Sequence, residues 1–84
     1  MTVKVRFFAA LREQVGHDVI EISTPPSSDI AGLLANIREQ LGDRVVAALN
    51  ADNVRVALNR EFAGDDCAIQ DGDEVAFMPP ITGG

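Results

Sequence analysis

The sequence has few of the residues that support covalent or metal chemistry. Its 84 residues include one cysteine, Cys67, one histidine, His17, and no tryptophan or tyrosine. A single cysteine cannot close an intramolecular disulfide or supply the four thiolates of an iron–sulfur cluster. His17 stands between Gly16 and Asp18, a setting typical of a solvated turn, and Cys67 follows two aspartates, which favours a packing role over a reactive thiol. We therefore expect no metal site and no ferredoxin-type chemistry.

Long apolar runs are also missing. The longest are residues 7–11 and 45–49, five residues each, whereas a helix that crosses a bilayer needs about 20. Arg12 and Glu13 interrupt the N-terminal apolar stretch before it reaches the length of a secretory signal. We therefore expect no membrane segment and a cytoplasmic protein.

Basic residues are scarce. Seven basic against thirteen acidic residues give a net charge of −6, and residues 50–84 contain two basic and seven acidic residues. Because phosphate backbones are bound through lysine and arginine, a chain with this charge and one lysine is poorly suited to nucleic acid. The net charge instead predicts a basic protein partner.

What is present is the pattern of a small packed domain. Hydrophobic residues make up 46% of the chain and charged residues 24%, and a chain of this length has room for one core. Alternation of apolar and polar residues predicts strands, and nearby proline, glycine or asparagine predicts turns. The predicted strands are Thr2–Phe8, Asp18–Ser23, Val54–Leu58, a short fourth strand after the tight turn Asn59-Arg60, and Glu74–Met78.

One helix is well marked. Ser27, Ser28 and Asp29 are N-cap candidates, and Gly42 is a plausible terminator. Between them an apolar stripe recurs at helical spacing, formed by Ile30, Leu33, Leu34, Ile37 and Leu41. Residues 9–14 and 43–50 favour shorter helical turns. We therefore expect an α+β domain over residues 1–80, in which a mixed twisted sheet packs on one main helix.

The sequence closes on a proline pair and a glycine pair. Gly83 and Gly84 have no side chains, so they can enter a channel too narrow for a Cβ atom and carry the carboxylate of Gly84 at the tip. Residues 81–84 are predicted to form an extended, flexible tail that reaches about 13 Å. Pro79 and Pro80 would stiffen its root. A frayed, inert tail is the alternative interpretation.

Two segments resemble the two signatures of the small subunits of molybdopterin synthase. They are Phe-Phe-Ala-Ala-Leu-Arg-Glu-Gln-Val-Gly at residues 7–16 and Asp-Gly-Asp-Glu-Val-Ala-Phe-Met-Pro-Pro-Ile-Thr-Gly-Gly at residues 71–84. The resemblance covers the whole chain in length and element order, and it implies a ubiquitin-like β-grasp sulfur carrier. Two positions depart from the pattern, since relatives often have phenylalanine at Met78 and alanine or serine at Thr82.

The resemblance implies a reaction at Gly84. A ubiquitin-activating-like adenylyltransferase would use ATP to adenylate the carboxylate, and sulfur from a persulfide donor would displace AMP to give a thiocarboxylate. Docking on the large synthase subunit would then insert Pro80, Ile81, Thr82 and Gly83 into that subunit's active site, where sulfur is transferred to form the molybdopterin dithiolene. The chain would bind no cofactor itself and would act as the non-catalytic subunit of a heterotetramer.

The resemblance also directs attention to the polar side of the sheet. If the first and last strands are neighbours, strand phase places Phe8 and Met78 on the face away from the helix. Large apolar side chains on a solvent-facing surface predict a partner interface. Phe62 either joins this interface or folds over into the core, and the sequence leaves both open.

Three alternative functions share these features. A thiamine-pathway sulfur carrier has the same tail and activation chemistry, but it is usually shorter and lacks the signature at residues 7–16. A ubiquitin-like modifier would use the same tail to form isopeptide bonds with lysines. An interaction module with an inert tail is the third.

Overall fold

The computed structural model of the chain describes residues 1–79. These residues form one five-stranded sheet and three helices around a single core. The elements in chain order are β1 (Thr2–Phe7), α1 (Ala10–Val15), β2 (Val19–Ser23), α2 (Ile30–Leu41), α3 (Asp43–Leu49), β3 (Arg55–Leu58), β4 (Glu61–Phe62) and β5 (Glu74–Met78).

The sheet is mixed, and its strand order is β2-β1-β5-β3-β4. The first and last strands, β1 and β5, lie side by side and run parallel, while the other neighbours are antiparallel. The parallel pair is possible because the long chain between the two strands includes helices α1 to α3, which pack on one face of the sheet. The predicted α+β class, with a mixed sheet packed on a main helix, is confirmed.

The core lies on one face of this sheet. In β1 the residues alternate between buried and accessible, with Val3, Val5 and Phe7 at most 1% exposed. The parallel partner β5 contributes Phe77, whose ring stacks on that of Phe7 with 6.1 Å between centroids. All three helices add buried side chains to the same cluster, among them Leu11, Ile30, Leu33, Leu34, Ile37, Val46 and Leu49.

Helix α2 is the main helix and follows the predicted pattern. Its N-cap is Asp29, whose side chain accepts a hydrogen bond from the Gly32 N–H at 2.8 Å. The predicted stripe faces the core, with Leu41 only half-buried at the end of the helix. Gly42 ends the helix at φ 97°, a region that favours glycine because it has no Cβ.

Several element boundaries differ from the prediction by one residue. Strand β1 ends at Phe7 and not at Phe8, because Ala9 turns to φ 54° and starts α1. Strands β2 and β3 each begin one residue later than predicted. Residues 43–49 form a helix of their own, which the break at Gly42 separates from α2.

The helices of residues 1–79 are short. The longest has 12 residues, and none combines the length and apolarity needed to cross a bilayer.

Candidate functional site

The candidate site is the side of the sheet opposite the core, which we call the outer face. It is formed by residues in the strand phase opposite to Phe7 and Phe77, among them Lys4, Arg6, Ala57, Phe62, Glu74, Ala76 and Met78, together with Phe8 just past the end of β1. Ala57 lies on this face although it is only 5% exposed. The strand register aligns four of them in one row across the sheet. Arg6 lies beside Ala76, Ala76 beside Ala57, and Ala57 beside Phe62.

This row creates a groove. Its two middle positions, Ala57 and Ala76, have the smallest side chains of the row, while the ends, Arg6 and Phe62, have long ones. A depression of about 550 Å³ results. It is lined by Arg6, Phe8, Ala57, Arg60, Phe62, Glu74, Ala76 and Met78.

Phe8 and Met78, both predicted interface residues, meet at one end of the groove. Their strands pair up to Phe7 and Phe77, and the N–H of Phe8 then donates to the Phe77 carbonyl at 3.1 Å. Phe8 is 44% exposed, and Met78 is half-buried. Strand phase therefore places them together, as the sequence predicts.

Phe62 also lies on the outer face and not in the core, while its contact with a partner stays a prediction. Its side chain is 71% exposed, the largest exposure of any large hydrophobic residue among residues 1–79, so it does not belong to the core. The guanidinium carbon of Arg55 stands 5.3 Å from the centroid of its ring. This cation–π contact is worth about 0.5–1 kcal/mol at an exposed site and favours this position of the ring.

The turn before Phe62 fixes β4 against the sheet. Asn59 and Arg60 have φ values of 49° and 74°, and a tight hairpin of type I′ requires positive φ at both central residues. The Asn59 side chain donates to Asp73 Oδ1 and accepts from the Glu74 N–H, each at 3.0 Å. The Asn59 N–H donates to the Glu74 carbonyl at 2.8 Å. The hairpin is thereby tied to the start of β5.

One ion pair joins β1 to β5 at the Arg6 end of the groove. Arg6 Nε lies 2.7 Å from Glu74 Oε1, and both side chains are 39% exposed. A pair with this exposure contributes at most about 1 kcal/mol to stability. Its main consequence is that Arg6 and Glu74 largely neutralise each other.

The chain leaves the sheet at the same end as Phe8. Strand β5 ends at Met78, which pairs with Arg55, and Pro79 follows it. The predicted reactive residue Gly84 and the predicted tail residues Pro80, Ile81, Thr82 and Gly83 lie outside the described residues. Their roles stay predictions.

The other chemistry-bearing residues have structural explanations. His17 is exposed, and Cys67 is half-buried against the core cluster. Asp71 accepts a hydrogen bond from the Thr2 N–H at 2.7 Å, and Asp73 accepts one from the Gln70 N–H at the same distance. Within residues 1–79 no three histidine, cysteine, aspartate or glutamate side chains are grouped as a metal site.

Sequence reasoning missed the floor of the groove and one of its flanks. Ala57 and Ala76 occupy polar-face positions of two strands, but only the register shows that they are neighbours. The contact between Arg55 and the ring of Phe62 could not be predicted without knowing that β3 pairs with β4. The one sequence signal for the floor of the groove was that two alanines occupy polar-face positions of different strands.

Comparison with known proteins gives the family. The ThiS family model matches residues 5–84. The molybdopterin synthase sulfur carrier subunit of Escherichia coli is 39% identical over 82 residues, which cover 98% of this chain and 99% of that protein.

Solved structures agree with this match. The putative molybdopterin converting factor subunit 1 of Pyrococcus furiosus superposes with a TM-score of 0.79 at 25% identity, covering 96% of this chain and 99% of that chain. The complex of subunits 1 and 2 of the Helicobacter pylori molybdopterin-converting factor contains a chain that superposes with a TM-score of 0.67 at 26% identity, with full coverage of both. The protein belongs to the ThiS family, together with the molybdopterin synthase sulfur carrier subunits that it matches, and it has their ubiquitin-like β-grasp fold.

Proposed function

We propose that this chain is the sulfur carrier subunit of a molybdopterin synthase. The observation that carries the proposal is the position of the apolar groove, which lies on the outer face at the end of the sheet where β5 leads into the C-terminal residues. A partner that docks on Phe8, Met78 and Phe62 would hold the sheet in a fixed orientation. The C-terminal carboxylate would then enter the partner's active site from a fixed origin.

The chemistry proposed for Gly84 needs activation, because a carboxylate is a poor electrophile. An adenylyltransferase joins AMP from ATP to the carboxylate and releases pyrophosphate. The terminal sulfur of a persulfide donor attacks the acyl carbon and AMP leaves, which gives an acyl disulfide. A thiol then attacks the donor's own sulfur, forms a disulfide with the donor and releases the thiocarboxylate on Gly84. The chain's own side chains supply no acid or base in this sequence of steps, and the ATP is bound by the activating enzyme.

The proposed partner for sulfur delivery is the large subunit of the synthase. The Helicobacter pylori relative is described in a complex of subunits 1 and 2, and the exposed apolar groove of this chain suits the same kind of assembly. We propose a heterotetramer located in the cytoplasm, in which the chain is the sulfur-donating, non-catalytic subunit. Isolated thiocarboxylated chain would then form no molybdopterin.

Intact mass spectrometry tests the proposal. The chain is incubated with ATP, the activating enzyme and a persulfide donor, and we expect the mass to rise by the replacement of one carboxylate oxygen by sulfur. Deletion of Gly84 moves the reactive carboxyl by about 3.3 Å, where displacements of about 1 Å already cost on the order of a hundredfold in rate. That variant should fold and melt like the parent but gain no sulfur, whereas the length-preserving control Thr82→Ser should react normally.

Each alternative function predicts a different experimental outcome. Sulfur transfer by the Gly84 deletion at the parental rate would refute the tail as the reactive centre. Isopeptide adducts of the chain in cell extracts would identify a protein modifier. Transfer of sulfur to a thiazole precursor, with none to the pterin, would identify a thiamine-pathway carrier.

A further inference from the structure

The charge around the groove is opposite in sign to that of the whole chain. The chain has a net charge of −6, but the groove is lined by two arginines, Arg6 and Arg60, and a single carboxylate, Glu74. A third arginine, Arg55, stands over the exposed ring of Phe62 beside it. The local charge of this part of the outer face is therefore positive.

Two of these arginines are available to a partner. Glu74 is occupied by Arg6 at 2.7 Å. Among residues 1–79, no carboxylate lies within ion-pair distance of Arg55 or Arg60, and both residues are exposed. They are the only two basic residues in residues 50–84, against seven acidic ones. The fold has thus brought both to the margin of the same apolar groove.

The neighbourhood of Phe62 combines these charges with an apolar side chain. Arg60 ends the turn two residues before Phe62, and Arg55 lies above the ring. An exposed aromatic residue flanked by guanidinium groups fits a protein surface that offers an apolar contact edged by carboxylates, because arginine and carboxylate pair through two parallel hydrogen bonds.

We propose, on the basis of the function proposed above, that the partner surface docking on this groove is acidic: carboxylates of the large subunit pair with Arg55 and Arg60 around an apolar contact for Phe62. This differs from the basic partner that the net charge predicts. Net charge acts at long range, but salt screens it beyond about 8 Å at physiological ionic strength, so the local charge decides the contact. A polyanion such as nucleic acid fits less well, because the remaining surface would repel it.

Charge variants with matched controls test the proposal. Arg55→Glu and Arg60→Gly change the groove margin, and Arg44→Glu and Arg44→Ala make the same changes of net charge on α3, on the helical side of the sheet, where Arg44 is exposed. Glycine suits position 60 because Arg60 has φ 74°. Binding of each chain to the purified large subunit is measured by stopped-flow kinetics at low and at physiological salt.

We expect Arg55→Glu to slow association about tenfold or more at low salt and Arg60→Gly to slow it several-fold, with smaller differences at higher salt. The Arg44 controls should change the rate less than about twofold. Arg55→Lys should restore most of the rate, which separates charge from altered folding.

Unchanged or faster association in both groove variants would overturn the proposal, as would equal effects of the Arg44 controls. Sulfur loading of the same variants, followed by mass, separates the two claims. If the groove variants bind at the rate of the parent chain and also load sulfur normally, only the proposal of an acidic partner surface is contradicted. If the parent chain itself does not load sulfur, the sulfur-carrier function is contradicted.

Discussion

The two faces of the sheet use the same strands for different purposes. On the core face, Phe7 and Phe77 stack and are at most 1% exposed. On the outer face, their immediate neighbours Phe8 and Met78 line an open groove. Since side chains alternate at every residue of a strand, a shift of one position separates a residue that determines stability from one that faces solvent. A β-sheet can therefore vary its binding surface without altering its core.

The largest expected effect is on the core side of this comparison. Phe7→Ala removes a fully buried ring that stacks on Phe77, and we expect a loss of about 3–5 kcal/mol in the free energy of unfolding. Urea denaturation followed by circular dichroism measures it. Phe8→Ala is the matched control, one residue away with the same change of side chain, and it should cost less than about 1 kcal/mol. Similar losses for the two variants would refute the division between the faces.

The second prediction concerns the outer face. Phe8→Ala and Phe62→Ala should each weaken binding to the large subunit by about 1–3 kcal/mol, if each ring is an interface anchor. Phe62 is 71% exposed, so its removal should leave the unfolding transition nearly unchanged. Calorimetric titration and thermal melts of the same samples check both halves. Val19→Ala, an exposed apolar residue on edge strand β2 outside the groove, is the control and should bind normally.

The third prediction concerns the β3–β4 turn, which precedes Phe62 of the outer face. Asn59→Ala removes the side-chain hydrogen bonds to Asp73 and Glu74 and places alanine at φ 49°. We expect a loss of about 1–2 kcal/mol in stability. Amide hydrogen exchange should show the loss first in β4, while the amides of β1 stay protected. Asn59→Gly, which accepts the same φ without the hydrogen bonds, should lose less; an equal loss would show that backbone conformation contributes little.

Most of the fold could be predicted because it depends on local patterns. The stripe from Ile30 to Leu41 and the alternation in β1 mark a helix and a half-buried strand on their own. The boundary at Phe8 could not be placed, because the turn at Ala9 ends the strand and its sequence continues the apolar run.

The site was partly predictable for a related reason. Strand phase alone assigns Phe8 and Met78 to the outer face. The groove, however, depends on the register of four strands, which aligns Ala57 with Ala76 and with Phe62. The same pairing brings Arg55 and Arg60 to its margin, and so reverses the local charge that the composition predicts. Long-range register of this kind has no signal in a single sequence.

The smallest expected effect is that of Arg60→Gly, which should raise the free energy of unfolding but slow association with the large subunit. Arg60 has φ 74°, a conformation that costs a residue with a Cβ about 1–2 kcal/mol and glycine almost nothing. Glycine also loses more backbone entropy on folding, about 0.5–1 kcal/mol. We therefore expect Arg60→Gly to raise the stability by about 0.5–1 kcal/mol while it slows association with the large subunit. Arg60→Ala keeps the strain and loses the charge, so it should bind as weakly without gaining stability. A rise in melting temperature for Arg60→Gly, together with slower binding, would show that this position keeps a strained backbone for the sake of its charge, because a residue retained for folding alone would be expected to be glycine.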